Sequence, residues 1–201
     1  MSKTIALFGG SFNPPHLGHL QFTQHILHAC SVIDEVWICP CNQSRYGKGL
    51  LDPKHRLNMC ELTFKHPKVK ICDWEIKNKT SGETYKLMQK FFADPEFIDY
   101  NFYFAIGMDN AVKAPSWANW NWLRSNVNFL VIPRKGVEKP TNCWFMEPPH
   151  IFAESADICD ISSTQLKVML TNNDESCTKY IELETLKYLK KNNLTDLFSI
   201  V

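Results

Sequence analysis

Two histidines three residues apart, just after a glycine pair and two prolines, are the part of this sequence best suited to chemistry. The string reads Gly9-Gly10-Ser11-Phe12-Asn13-Pro14-Pro15-His16-Leu17-Gly18-His19. It follows a short apolar run and opens a stretch of helical periodicity. Gly9 and Gly10 permit close backbone approach, and the prolines stiffen the entry to the helix. Gly18 removes bulk beside the helix start and leaves room for a ligand. On a first helical turn, His16 and His19 project from the same side. The unpaired N–H groups and positive end of a helix favour a phosphate at that place. Two imidazoles aimed there would stabilise charge gathering on a phosphorus in transit. Surface histidines near a turn are the ordinary alternative, and the one that suits His25, His28, His66 and His150. A zinc site lacks a third ligand nearby in sequence. The complete string favours phosphate chemistry and no protein-held metal.

A second constellation, Ile161-Ser162-Ser163-Thr164-Gln165-Leu166-Lys167, follows Asp160 and opens another helix. Hydroxyls at a helix start cap its free amides or donate to a phosphate. Lys167 lies one turn beyond Ser163, within reach of the same ligand. Gly107-Met108-Asp109 follows an apolar run, where a carboxylate can accept ribose hydroxyls or cap a helix. Arg134, after a later apolar run, is a further phosphate candidate.

These groups need elements to carry them. Apolar runs read as strands at residues 3–8, 35–39, 69–74, 102–106 and 127–132. Helical spacing covers 17–30, 54–64, 84–92, a short piece at 117–123, and two C-terminal helices at 163–170 and 177–191. Alternating strands and helices predict an α/β fold with a doubly wound, mostly parallel sheet. All strand C-termini then lie along one edge, where such folds bind ligands. The loops after Phe8, Pro40, Ile106 and Pro133 should meet there. No linker, repeat or low-complexity segment divides the chain, which reads as a single domain over residues 1–201.

Composition narrows the partners. With 22 basic and 21 acidic side chains among 201 residues, the net charge is +1. A general nucleic-acid binder would carry a basic excess, so nucleic acid is not expected. No apolar run reaches the roughly 18 residues of a membrane helix, and residues 1–8 lack a signal-peptide pattern. Eight scattered cysteines without a C-x-x-C motif read as reduced thiols of a cytoplasmic protein. Cys39 and Cys41 should share one strand face. The oligomeric state, a homo-oligomer included, stays open.

The eleven-residue string resembles the H-x-G-H signature of the nucleotidylyltransferase superfamily. Its longer form is similar to that of the nicotinate/nicotinamide mononucleotide adenylyltransferases. The resemblance implies a Rossmann-like domain that joins AMP from ATP to one of those mononucleotides, forming deamido-NAD or NAD and releasing pyrophosphate. His16 and His19 inherit the catalytic role. Gly9, Gly10, Ser11, Gly107, Asp109 and Arg134 are implied on the ATP side. The serine-rich string resembles the family's I-S-S-T-x-x-R, which assigns Ser162, Ser163, Thr164 and Lys167 to the outer phosphates, with lysine in place of arginine. Lys48, in Gly47-Lys48-Gly49-Leu50, resembles a family lysine that reaches the phosphates. Phe12 and Asn13 are implied near the acceptor. Thr84 resembles a family threonine by the acceptor ring, and Trp117 in Pro115-Ser116-Trp117-Ala118-Asn119-Trp120 inherits a stacking role on the pyridine. Trp120, Trp122 and Trp144 read as core, and the His55-Arg56 pair as structural.

The implied reaction is direct attack by the acceptor phosphate on the α-phosphorus of ATP. That phosphate is ionised at neutral pH, its second pKa lying near 6, so no protein nucleophile or base is needed. Mg2+ is expected to arrive with the ATP phosphates. Two other readings compete: a sister nucleotidyltransferase with another phosphorylated acceptor, and a non-catalytic binder of ATP or NAD. A class I aminoacyl-tRNA synthetase would be longer and carry a K-M-S-K-S loop.

Overall fold

A computed structural model describes residues 2–44, 49–141, 143–154 and 156–199. Six strands, β1 (Lys3–Gly10), β2 (Glu35–Pro40), β3 (Val69–Ile71), β4 (Tyr100–Gly107), β5 (Asn128–Ile132) and β6 (Ile151–Phe152), form one sheet. Every pairing is parallel, in the order β3-β2-β1-β4-β5-β6. Successive residues of β1 supply opposite faces, as strand geometry requires. Ile5 and Leu7 join one buried cluster and Ala6 the other.

Helices cover both faces. The Ile5 side receives α3 (Trp74–Lys77), α4 (Thr84–Phe92), α5 (Met108–Lys113) and α6 (Trp120–Asn126), through residues such as Leu87, Phe91, Met108 and Leu123. The Ala6 side receives α1 (Leu17–Ala29) through Phe22 and Ile26, and α2 (Pro53–Thr63) through Cys60. A third cluster joins α7 (Ser163–Thr171) and α8 (Leu183–Lys191) to Leu51 and Met59. This is the doubly wound α/β arrangement expected. Strand order reverses between β1 and β4, and the crevice beyond their C-terminal ends is the place where such sheets bind ligands. Among the described residues, no helix is long and apolar enough to cross a membrane.

Several boundaries differ from expectation for identifiable reasons. The strand expected over 69–74 stops at Ile71, because β3 has only β2 as a neighbour and Trp74 turns inward to open α3. Its indole donates to Asp94 Oδ2 at 2.7 Å. The short helix expected at 117–123 starts instead at Trp120, since Asn119 takes a left-handed φ of 53°. The helix expected over 177–191 is split. The Tyr180 carbonyl accepts from the Leu17 amide at 2.8 Å, so a 3-10 turn (Glu175–Lys179) ends there and α8 begins later. Cys41 lies beyond the end of β2 and so does not share a strand face with Cys39. The two-residue β6 was not expected.

Candidate active site

The chain leaves β1 through Gly10, where a Cβ would sit 3.1 Å from the Phe12 ring. Phe12 itself adopts φ 44°, a backbone region that costs a non-glycine residue about 1 kcal/mol or more. Its ring is wholly buried, edge-on to Phe8 and Phe64 and 5.0 Å from the His19 ring. Asn13 binds the Gly49 carbonyl at 3.4 Å and the Leu51 amide at 3.2 Å. Arg56, fully buried, donates from Nε to the Leu51 carbonyl and from Nη1 to the Ser11 carbonyl, each at 3.0 Å. A strained turn is thereby held from three sides. The structural role expected for Arg56 is to brace this turn, and His55 adds a 2.8 Å contact to the Tyr188 hydroxyl.

His16 caps α1 in an extended conformation. Its amide donates to Nδ1 of His19 at 3.2 Å, and the two rings stack with centroids 3.6 Å apart. Because His19 Nδ1 accepts, its proton sits on Nε2. His16 is 6% exposed, and its Nδ1 is buried without a hydrogen-bond partner in the protein. Burial, aided by the Arg134 charge, pulls His16 down to about 4. Burial, then His16 and Arg134, hold His19 well below the usual imidazole range. Both rings are therefore neutral at physiological pH. Neutral imidazoles offer hydrogen-bonding groups, and Arg134 is the positive charge that both of them feel.

Arg134 joins two loops. Nη1 meets Asp109 and Nη2 meets Asp160, each at 3.3 Å. Gly107 is needed for this, since a Cβ there would lie 2.7 Å from Asp109 Oδ1. Ser163 Oγ donates to the Pro14 carbonyl at 3.0 Å, docking the start of α7 on the histidine turn. Gly18 lets the Cys159 carbonyl approach to 3.0 Å from where a Cβ would stand. Beside this assembly is a cavity of about 290 Å³, walled by Gly9, Gly10 and Ser11, by Cys41, Gln43 and Ser44 after β2, and by Glu75, Thr84, Asn110 and Trp117. The histidines do not line it.

Residues 7–169 match the family model described as Cytidylyltransferase-like. A protein from Bacillus cereus (strain B4264), named probable nicotinate-nucleotide adenylyltransferase, is 31% identical over 193 residues, covering 93% of this chain and 90% of that protein. A relative of the same name from Oceanobacillus iheyensis is 30% identical over 174 residues, 86% of each. This chain belongs to the nicotinate-nucleotide adenylyltransferase family. It is a nucleotidyltransferase by that membership. In fold it is similar to a Plasmodium falciparum nicotinic acid mononucleotide adenylyltransferase complexed with NaAD, with a TM-score of 0.80, 24% identity, and coverage of 96% of this chain and 98% of that one.

For a member of this family, the residues singled out from sequence fall into three groups. Gly9, Gly10, Ser11, Thr84 and Trp117 share the cavity. His16 and His19 belong to the turn beside it, Ser163 docks on that turn, and Gly107, Asp109 and Arg134 form a linked group whose charge reaches the histidines. The remainder stand apart. Phe12 and Asn13 direct their side chains into the core and toward residues 49–51. Ser162 and Gln165 cap α7 reciprocally, Thr164 lines a separate hollow with Asp160 and Tyr180, and the Lys167 ammonium lies over the Phe198 ring at 5.4 Å. Lys48 lies outside the described residues. Trp120 and Trp144 pack edge-on at 4.7 Å against the core, as expected of them.

Sequence reasoning missed Gln43, Glu75, Asn110 and Asp160. Glu75 sits just past what reads as an apolar strand, and only its burial (2% exposed) marks it. Burial raises its pKa despite hydrogen bonds from Thr80 and the Asn42 amide. Asp160 had a usable signal, since it directly precedes the serine string. Its partner Arg134 lies 26 residues away and gives no local pattern. Among the described residues, no three His, Cys, Asp or Glu side chains gather into a metal-holding group.

Proposed function

We propose that this enzyme transfers the adenylyl group of ATP to nicotinate or nicotinamide mononucleotide, giving deamido-NAD or NAD and pyrophosphate. The observation that carries the reading is the stacked, neutral pair at the start of α1, His16 buried and His19 half-buried, beside a cavity holding Trp117 and Thr84. The names of the relatives favour the nicotinate form. A solved relative described as complexed with APC, 25% identical, is in keeping with a nucleotide site.

The acceptor phosphate supplies its own negative charge, so attack on the α-phosphorus needs alignment more than a base. His19 Nε2–H donates to an oxygen of the transferring phosphate. His16 holds His19 in place through its ring and amide. Arg134 lends positive charge to the same point and, with Asp109, holds the nucleotide's sugar and phosphates. Gly9 to Ser11 offer bare backbone to ATP, Ser162 to Thr164 and Lys167 serve the outer phosphates, and the family resemblance alone adds Lys48 to them. Mg2+ carried on ATP would neutralise part of that charge. Trp117 stacks on the pyridine ring and Thr84 binds beside it, while Phe12 and Asn13 support the turn from within rather than touching the acceptor. Eight unpaired thiols support a cytoplasmic setting.

The test is pyrophosphate release with ATP, Mg2+ and each mononucleotide supplied separately. Turnover with at least one mononucleotide, and little with pantetheine phosphate or with CTP as donor, is the expected result. ATP binding without pyrophosphate from any acceptor would leave the non-catalytic reading in its place.

A further inference from the structure

We propose that Cys39 and Cys72, at the β2–β3 edge of the sheet, form a thiol pair that a peroxide converts into a disulfide. The last ladder partners of these strands are Ile38 and Ile71, and the Cys72 amide continues the ladder by donating to the Ile38 carbonyl at 2.8 Å. Cys39 and Cys72 are the next step. In a parallel ladder such partners face the same side, and both thiols meet the cluster that contains Trp37 and Trp74. Neighbouring strands lie about 4.8 Å apart, inside the roughly 4.4–6.8 Å Cα separation that a disulfide spans. Each thiol is the largest single influence on the acidity of the other. Closing the bond asks for a small approach. Cys72 can make it, because it sits just past a three-residue strand with one neighbour.

The two thiols are unequal, which assigns their roles. Cys72 is partly exposed and lines a cavity of about 200 Å³ with Trp37, Trp74 and Phe97, so a small oxidant can reach it. Cys39 is wholly buried. Hydrogen bonds from Cys39 and from the Trp74 amide draw the Cys72 thiol below its ordinary value. The Cys72 contact and burial push Cys39 well up. Burial raises Cys30, Cys41, Cys60, Cys159 and Cys177 as well.

In the first step the Cys72 thiolate attacks one peroxide oxygen, the O–O bond breaks, and a sulfenic acid forms as water leaves. In the second, Cys39 sulfur attacks the sulfenic sulfur, expels its oxygen as a second water, and the S–S bond forms. Two thiols are oxidised and one peroxide is reduced, with no other reactant. The bond would fasten the sheet edge three residues before Glu75, which walls the main cavity.

The experiment treats the native enzyme with hydrogen peroxide, blocks the remaining thiols after denaturation, and maps the peptides. We expect two fewer free thiols than the original eight, a linked Cys39–Cys72 peptide, and full reversal by dithiothreitol. Cys72→Ser should leave Cys39 as a free thiol, and Cys39→Ala should let dimedone trap a sulfenic acid on Cys72. Recovery of both thiols free while others oxidise, a link to a different cysteine, or oxidation of Cys39 in Cys72→Ser would overturn the proposal.

Discussion

The turn after β1 and the start of α7 touch at Ser163 and Pro14, yet they are built on opposite plans. In the turn, Phe12, Asn13 and His16 are all at most 6% exposed, and every neighbour limits the geometry: Arg56 from below, residues 49–51 from the side, Phe8 and Phe64 around the ring. At α7 the cap is satisfied within the helix by Ser162 and Gln165, Thr164 is exposed, and Lys167 rests on Phe198. Under the proposed function, the difference follows from what each would hold. Aiming the His19 ring, held by His16, at one phosphorus would tolerate little error, because misplacement of about 1 Å can cost two orders of magnitude in rate. Gripping a flexible triphosphate rewards side chains that can move. One region is preorganised and the other adaptable.

The largest effect should come from the preorganised side. His19→Ala removes a donor to the transferring phosphate and should lower kcat by about 10²-fold or more, with the thermal midpoint nearly unchanged. Steady-state pyrophosphate release beside a melting curve checks both halves. Near-normal turnover would mean that the stacked rings are only structural. Arg56→Met attacks the same turn from beneath. It leaves the carbonyls of Ser11 and Leu51 without their donor, although it also removes the orphaned Nη2. A net loss of about 2–4 kcal/mol is expected, read as a fall in the thermal midpoint of roughly 5–15 °C.

The buried histidine also makes the turn sensitive to acid. The folded chain holds His16 at about 4, whereas an unfolded histidine titrates near 6.5. Between those values the unfolded state binds more protons, so the contribution is complete above pH 6.5 and is lost as pH falls toward 4. It amounts to about 3 kcal/mol at most. Thermal midpoints of the wild type should therefore drop faster over that window than those of His16→Asn, which has no such group to titrate. Parallel curves would show that the ring is not held neutral.

How much of this was legible depended on whether the signal was local. The glycine–proline–histidine string, the capping serines and the apolar runs are contiguous, and they yielded the sheet class, the turn after β1 and the capped start of α7. Contacts joining distant segments were not readable. Nothing in the residues around Tyr180 announces that its carbonyl is claimed by Leu17, which is why the last helix was expected too long. Nor does the sequence reveal that Arg134 bridges Asp109 and Asp160, or that Glu75 walls the cavity. Phe12 shows the same limit in reverse: its place in the string suggested ligand contact, while packing sends its ring into the core.

At the cavity proposed for the acceptor the expected effect is smaller. Trp117→Ala should raise the KM for the mononucleotide about 5-fold, the worth of roughly 1 kcal/mol of aromatic stacking. The KM for ATP should hardly move. Equal changes in both would indicate a loss of packing around Trp117 rather than of a stacked ligand.

The smallest effect is expected at the adaptable end, and it tests the comparison most sharply. Lysine presents a compact charge on a flexible stem, without the bidentate fork of arginine, and here that charge is attracted to the Phe198 ring at 5.4 Å. A cation–π contact at a partly exposed site is worth about 0.5–1 kcal/mol, so drawing Lys167 toward a triphosphate gives up some of what is gained. Lys167→Met should therefore raise the KM for ATP only about 2- to 5-fold, leaving kcat and the acceptor KM close to the wild type. Lys167→Arg should shift the ATP KM the other way by a similar factor, provided that the guanidinium can leave the ring. If Lys167→Met instead lowered kcat as deeply as His19→Ala, the start of α7 would be as preorganised as the histidine turn, and the contrast between them would fail.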